Sequence, residues 1–205
     1  MKTTKLLICA MAIAAAVAAV KAQGQNFSAT LVDIVPGLPV TGTLDNGSFT
    51  QQYPSGVMRF TDFDAFCVDP LQSISYGETL IYQIQDPISL VNYDKISRLV
   101  GGYLASSRSD QNAAAVQWAI WETTNETVNS PSLLDGNVRI LPVSLDTATL
   151  ANQYLANINT YSPVALTYLT NSTRQDVVTW NVVPEPGSAA LAALSTLVLL
   201  RRRRR

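Results

Sequence analysis

No histidine occurs anywhere in the 205 residues, and cysteine occurs only twice. The first absence excludes Ser-His-Asp and Cys-His catalysis, an imidazole general base and His-ligated zinc. Two cysteines are too few for a four-thiolate metal site. Charge is also scarce, at 14% of residues against 47% hydrophobic. That balance is too apolar for an intrinsically disordered chain, and the length allows one domain with a substantial core.

Both ends read as addresses. Residues 1–22 begin with Lys2 and Lys5, continue through fifteen nearly unbroken apolar residues from Leu6 to Val20, and finish on small residues around Ala22. This is the pattern of an export signal, with cleavage expected before Gln23. Cys9 lies inside the apolar run instead of just after it, which does not fit a bacterial lipoprotein, so Cys9 is expected to leave with the signal. At the other end, residues 184–205 carry Pro184-Glu185-Pro186, an Ala- and Leu-rich stretch to Leu200, and then Arg201, Arg202, Arg203, Arg204 and Arg205. An apolar stretch stopped by five arginines is expected to halt in a membrane with the arginines on the cytoplasmic side. Residues 187–200 are short for a span of about 20 residues; arginine snorkelling and a thin bilayer close part of the gap.

This tail resembles the PEP-CTERM sorting signal of Gram-negative bacteria, in which a Pro-Glu-Pro motif, a short transmembrane helix and an arginine cluster follow in order. The resemblance implies processing by an exosortase near Pro184-Glu185-Pro186, with release or transfer at the cell surface, often alongside exopolysaccharide production. A GPI signal is the runner-up, but its hydrophobic tail does not normally end in arginines.

Without the two ends the electrostatics change. Residues 23–183 hold six basic residues (Arg59, Lys95, Arg98, Arg108, Arg139 and Arg174) against fourteen acidic ones, a net charge of −8. Nucleic-acid binding depends largely on neutralising phosphates, so no nucleic-acid partner is expected.

Within residues 23–183, alternation predicts strands over 27–35, 57–60, 65–69 and 79–84, with turns at Pro36-Gly37 and Asp45-Asn46-Gly47. From Tyr93 to Tyr161 the apolar period becomes helical, in Ile96, Leu99, Val100 and Tyr103, in Ala113, Val116, Ile120 and Trp121, and in Ala148, Ala151, Tyr154 and Leu155. Alternation returns over 164–170 and 176–183. The order of strands, helices and strands predicts an α+β fold, an antiparallel barrel or sandwich with a helical insertion.

With Cys9 removed, Cys67 is the one cysteine of an exported domain, and an unpaired thiol in an oxidising compartment needs an account. A small buried apolar residue and an intermolecular disulfide are the plain readings. Cys67 lies in Phe66-Cys67-Val68-Asp69-Pro70 at the end of a predicted strand. Gln117 lies in a predicted helix, four after Ala113 and three and four before Ile120 and Trp121, so it shares their apolar face. An unsatisfied glutamine there costs about 1 to 3 kcal/mol, so it is either hydrogen-bonded or chemically used.

Phe66-Cys67-Val68-Asp69 together with Val116-Gln117-Trp118-Ala119-Ile120-Trp121 resembles the thioester domain of bacterial surface adhesins. That family pairs an aromatic-Cys-aliphatic strand motif with an apolar-Gln-x-x-apolar-Trp helix motif. Residues 93–104, with Ile96, Arg98, Leu99, Gly102 and Tyr103, resemble the helix that precedes the glutamine motif. The resemblance implies that Cys67 attacks the Gln117 side-chain carbonyl, expels ammonia and leaves a thioester between strand and helix. It implies later transfer of the acyl group to an amine of a surface protein or a hydroxyl of an exopolysaccharide. It implies no cofactor and no metal. Gln117 is consumed, so the chain is expected to be a single-use covalent binder and not a turnover enzyme. Asp69 and Glu122 neighbour the reacting residues and are candidates to assist ammonia release. The best-known members sit on Gram-positive cells, so host-tissue adhesion is not implied.

Competing readings are a non-covalent matrix- or polysaccharide-binding module with a free Cys67, for which Trp118 and Trp121 would form a carbohydrate platform, and a cysteine hydrolase, which the missing histidine disfavours. Asp62, Asp64 and Asp69 invite a calcium reading but lack the spaced loop of an EF-hand.

Overall fold

The alternation that begins at Phe27 does not stop at Pro36-Gly37. In the computed structural model, which describes residues 26–126 and 131–180, β1 (Asn26–Leu44) runs on through that dipeptide and pairs antiparallel with β2 (Phe49–Phe60). The register shifts between Ile34 and Gly37. Proline has no N–H to give a ladder, and a Cβ at Gly37 would lie 2.6 Å from the Ser55 carbonyl oxygen, so the two residues make an irregularity inside a strand pair and not a reversal. The N–H of Gly37 is satisfied by the Asp110 carboxylate at 2.9 Å. The reversal comes at Asp45–Gly47, a single 3-10 turn with Asp45 and Gly47 at positive φ. β2 is three times the length expected because Pro54 and Gly56 interrupt its alternation; Pro54 sits opposite Pro39, where neither nitrogen has a hydrogen to donate.

β3 (Asp64–Cys67), β4 (Thr79–Gln85), β6 (Thr167–Thr170) and β7 (Val177–Thr179) complete an antiparallel sheet in the order β2-β3-β7-β6-β4-β1, with the short β5 (Arg139–Ile140) beyond β1. Because β1 also pairs with β2, six strands form a closed ring of pairings. β1 is long enough to do this with its two ends: Asn26–Thr30 pairs with β4, and Leu31 onward with β2.

Three helices fill the middle of the chain: α1 (Tyr93–Ala105), α2 (Asp110–Asn125) and α3 (Leu145–Ala156). Ser109 caps α2, its hydroxyl accepting from Asn112 N–H at 3.2 Å. α2 packs against β1, β2, β3, α1 and α3, and residues 113–123 are all buried. The run Ala113-Ala114-Ala115 lets neighbours approach it on every side, and the Trp118 ring lies so close to Gly42 that a Cβ there would collide with it. The described residues are thus α+β, with a large antiparallel sheet and three α-helices.

Three strands are shorter than the alternation suggested, and of residues 176–183 only Val177–Thr179 is strand among the described residues, 181–183 lying outside them. Residues 163–166 form no strand, because Val164 N–H bonds to the Ser97 carbonyl and Leu166 N–H to the Tyr93 hydroxyl, tying the segment to α1. β3 ends at Cys67, where the Asp69 carboxylate takes the Leu71 N–H and turns the chain. The expected export signal at 1–22 and the sorting tail at 184–205, with Pro184, Glu185, Pro186 and Arg201 to Arg205, lie outside the described residues. Among the described residues no helix is long and apolar enough to cross a membrane.

Candidate functional site: the Cys67-Gln117 pair

β2 leaves β3 after the pair Met58↔Ala65, while β7 continues alongside β3 as far as Cys67↔Val177. Cys67 therefore lacks a β2 neighbour for its own N–H and C=O. The Gln117 side chain takes that place. Cys67 N–H donates to Gln117 Oε1 at 3.0 Å, and Gln117 Nε2 donates to the Cys67 carbonyl at 2.8 Å. A primary amide has the same donor and acceptor as a peptide group, so one side chain from α2 acts as a strand surrogate for one residue. Both residues are buried, at 2% and 1% exposure. Fifty positions apart in sequence, they meet because α2 lies across the end of β3.

Strand alternation sends Phe66 and Cys67 to opposite faces. Phe66 packs edge-on to Tyr103 at 5.2 Å between ring centroids and tilted on Trp180 at 5.4 Å. Val68 is buried and donates its N–H to the Asp176 carbonyl, holding β3 to β7 beyond the last ladder pair. Val116 and Ile120 are wholly buried core residues.

The thiol of Cys67 donates to the Asp69 carbonyl at 3.3 Å. Its pKa is pushed up to about 12, chiefly by burial, with the charges of Asp69 and Asp176 adding to the rise and the Trp121 indole and the Asp69 backbone opposing it. Trp121 lies one helical turn beyond Gln117 and is 3% exposed; its Nε1–H has no nitrogen or oxygen acceptor among the described residues. Trp118 is wholly buried, donates to Ser55 Oγ at 2.9 Å and stacks edge-on with Trp121 and Tyr53. Neither indole offers a surface platform, which overturns the carbohydrate-platform reading of these two residues.

The pair lies in the wall of a pocket of about 220 Å³. Cys67, Gln117 and Trp121 meet there with Tyr53, Gln72 and Gln175. Tyr53, Gln72 and Gln175 carried no signal in the sequence: they come from three separate segments, and only closure of the sheet around α2 unites them. No family model, curated protein or solved structure matches the chain.

The carboxylates singled out from the sequence serve elsewhere. Asp69 meets the sulfur through its carbonyl, and its carboxylate is engaged with Leu71 N–H. Asp62 accepts from the Thr61 hydroxyl at 3.1 Å, and Asp64 lies 3.8 Å from Arg59. Among the described residues no group of three or more acids, cysteines or histidines is placed to hold a metal ion. Glu122 does not line the pocket. Its Oε1 accepts from Ser132 N–H at 2.8 Å, and its Oε2 is buried without a partner among the described residues.

Burial, partly offset by the Ser132 N–H and reinforced by Glu126, raises the Glu122 carboxyl from 4.5 to about 7. Between those values the folded state holds a proton that the unfolded chain has released, so stability falls as pH rises from about 4.5 to about 7 and the full penalty persists above. Glu122→Gln is expected to flatten this slope. Urea midpoints at pH 5 and pH 8 measure it: an equal drop in parent and variant would show that Glu122 is not the titrating group.

Proposed function

We propose that Cys67 and Gln117 form an internal thioester and that the chain is a single-use covalent binder of the cell surface or extracellular matrix. The observation that carries this reading is the docking of the Gln117 amide on the Cys67 backbone, with both residues in the wall of one pocket. The Cys67 N–H already hydrogen-bonds the oxygen on which negative charge would develop when sulfur adds to Gln117 Cδ, so the donor for the tetrahedral intermediate is in place beforehand. Sulfur bonds to carbon, the carbon–nitrogen bond breaks, the thiol proton leaves with nitrogen, and ammonia departs. A thiol pKa near 12 makes this slow, which suits a bond made once in the life of the molecule. Burial then shields the acyl group from water until an amine or hydroxyl reaches it.

The closed antiparallel ring with its helical insertion is compatible with a thioester-domain-like fold over residues 23–183. In this reading residues 1–22 direct export, and residues 184–205 anchor the chain transiently in the inner membrane. An exosortase then processes the chain at Pro184-Glu185-Pro186. Surface-protein amines and exopolysaccharide hydroxyls are the partners.

Intact mass decides the chemistry. The purified full chain is expected to be lighter than its calculated mass by one ammonia and to gain one methylamine on incubation, whereas Cys67→Ala does neither. Parent protein at its full calculated mass would make Gln117 a structural clamp on β3 and the chain a non-covalent surface module.

A further inference from the structure

The β1–β2 hairpin has two long edges, and only one is covered. On the β1 side Gly42 and Thr43 pair with β5, the Thr41 carbonyl accepts from Leu141 N–H at 2.9 Å, and Thr41 N–H donates to Ser144 Oγ at 3.2 Å. Thr41 therefore turns both main-chain groups away from β2. In an antiparallel pair the residue opposite does the same, and the direction alternates along the strand. Thr41 faces Gln52, and the register is continuous from Gly37↔Gly56 to Leu44↔Phe49, so Thr50, Gln52 and Pro54 point their main-chain groups away from β1. On that side, among the described residues, β2 pairs only with β3, at Met58 and Arg59. Thr50 and Gln52 each present an N–H and a carbonyl to no strand, and Pro54 presents a carbonyl. Residues 49–52 and Pro54 are exposed.

This edge borders the gap where β2 and β3 part. The pocket that holds Cys67 and Gln117 in its wall is lined by Gln51, Tyr53, Pro54 and Gly56 of β2 and by residues 70–74 after β3. Phe49 and Leu71, 54% and 56% exposed, line it as well. Open edges are commonly blunted with charge, yet residues 49–55 carry none, and only Pro54 interrupts the row of donors. Regularly spaced main-chain donors and acceptors beside apolar side chains are matched by another main chain in extended form. The net charge of −8 over residues 23–183 repels a second copy and favours a basic partner. The described chain also ends away from the hairpin tip: Asn26 lies beyond Leu31↔Phe60, and β7 runs from Val177, opposite Cys67, to Thr179, opposite Ala65.

We propose that this edge of β2 takes up an extended, basic polypeptide segment of another molecule as an added strand, beside the pocket that holds Cys67 and Gln117. The inference goes beyond the thioester reading and stands without it, because strand addition needs only the main chain.

The test is residue-resolved amide exchange on the isotope-labelled full chain carrying Cys67→Ala, which excludes covalent addition. In the free protein Thr50 and Gln52 should exchange faster than Gln51 and Tyr53, whose N–H groups face β1. The peptide acetyl-Arg-Thr-Val-Thr-Val-Thr-Arg-amide at about 1 mM should slow Thr50 and Gln52 about twofold, as half occupancy at a millimolar Kd requires. The same peptide N-methylated at alternate residues keeps its charge and side chains but should not protect. Gln52→Pro removes one outward N–H without touching the β1 ladder, as Pro54 already does. It should weaken peptide protection at Thr50 about threefold or more and leave the urea midpoint unchanged. Slow exchange at Thr50 and Gln52 in the free protein at every concentration overturns the proposal, since the chain then covers its own edge. Protection that grows with protein concentration assigns the edge to a second copy and overturns it too. Equal protection by the N-methylated peptide or by dextran rules out main-chain pairing, and no protection at about 10 mM peptide rules out a strand site.

Discussion

Replacing Gln117 by leucine in a Cys67→Ala background is expected to lower the unfolding free energy by about 2 to 6 kcal/mol. The background removes any thioester, so the measurement reports the amide alone. Leucine matches glutamine closely in volume and leaves little cavity, but it offers nothing to the Cys67 N–H and C=O, which the side chain satisfies at 3.0 and 2.8 Å. Each buried backbone group left without a partner costs about 1 to 3 kcal/mol. No strand stands by to replace the amide, because β2 has already turned away after Ala65. For a domain whose whole stability is about 5 to 15 kcal/mol, this is a large fraction. Urea unfolding of the two proteins measures it. A difference below about 1 kcal/mol would mean that β3 finds another partner, and that the amide is not a strand surrogate.

The second large effect concerns the thiol. In native protein whose thioester has been opened by methylamine, or which never formed one, Cys67 is expected to react with iodoacetamide at pH 8 about a thousandfold more slowly than an ordinary cysteine. The thiolate is the reacting form, and burial with two nearby carboxylates moves the pKa from 9.0 to about 12, which cuts the thiolate fraction by about that factor. In denaturant the same cysteine should react at the ordinary rate. Rapid labelling of the native protein would place the sulfur at the surface, against its 2% exposure. One practical consequence follows for any assay of this site: silence towards a thiol reagent does not distinguish a thioester from a buried thiol, and only mass does.

The sequence by itself determined the chemistry the chain lacks, the α+β order of its elements, and the two residues worth watching. Absent histidine removed whole classes of mechanism, and the change of period from two to helical spacing marked where strands give way to helices. The spacing of Gln117 from Ala113, Ile120 and Trp121 placed an amide on a buried face. These features are local, so a linear reading reaches them.

Tertiary structure decided the rest. Pro36-Gly37 looks like a turn in one dimension, but a partner strand carrying Gly56 opposite it makes the same residues an irregularity within a strand. Nothing local to Cys67 says that β2 departs two residues earlier and leaves its N–H and C=O open. Asp69 and Glu122 looked like catalytic neighbours because they are adjacent in sequence, yet on a turn and on a helix adjacency sends side chains in different directions. Gln72 was invisible for the converse reason. Its side chain lines a pocket that exists once β1, β2, the turn after β3 and α2 have come together, and its Oε1 is buried without a donor among the described residues; both are properties of the folded whole.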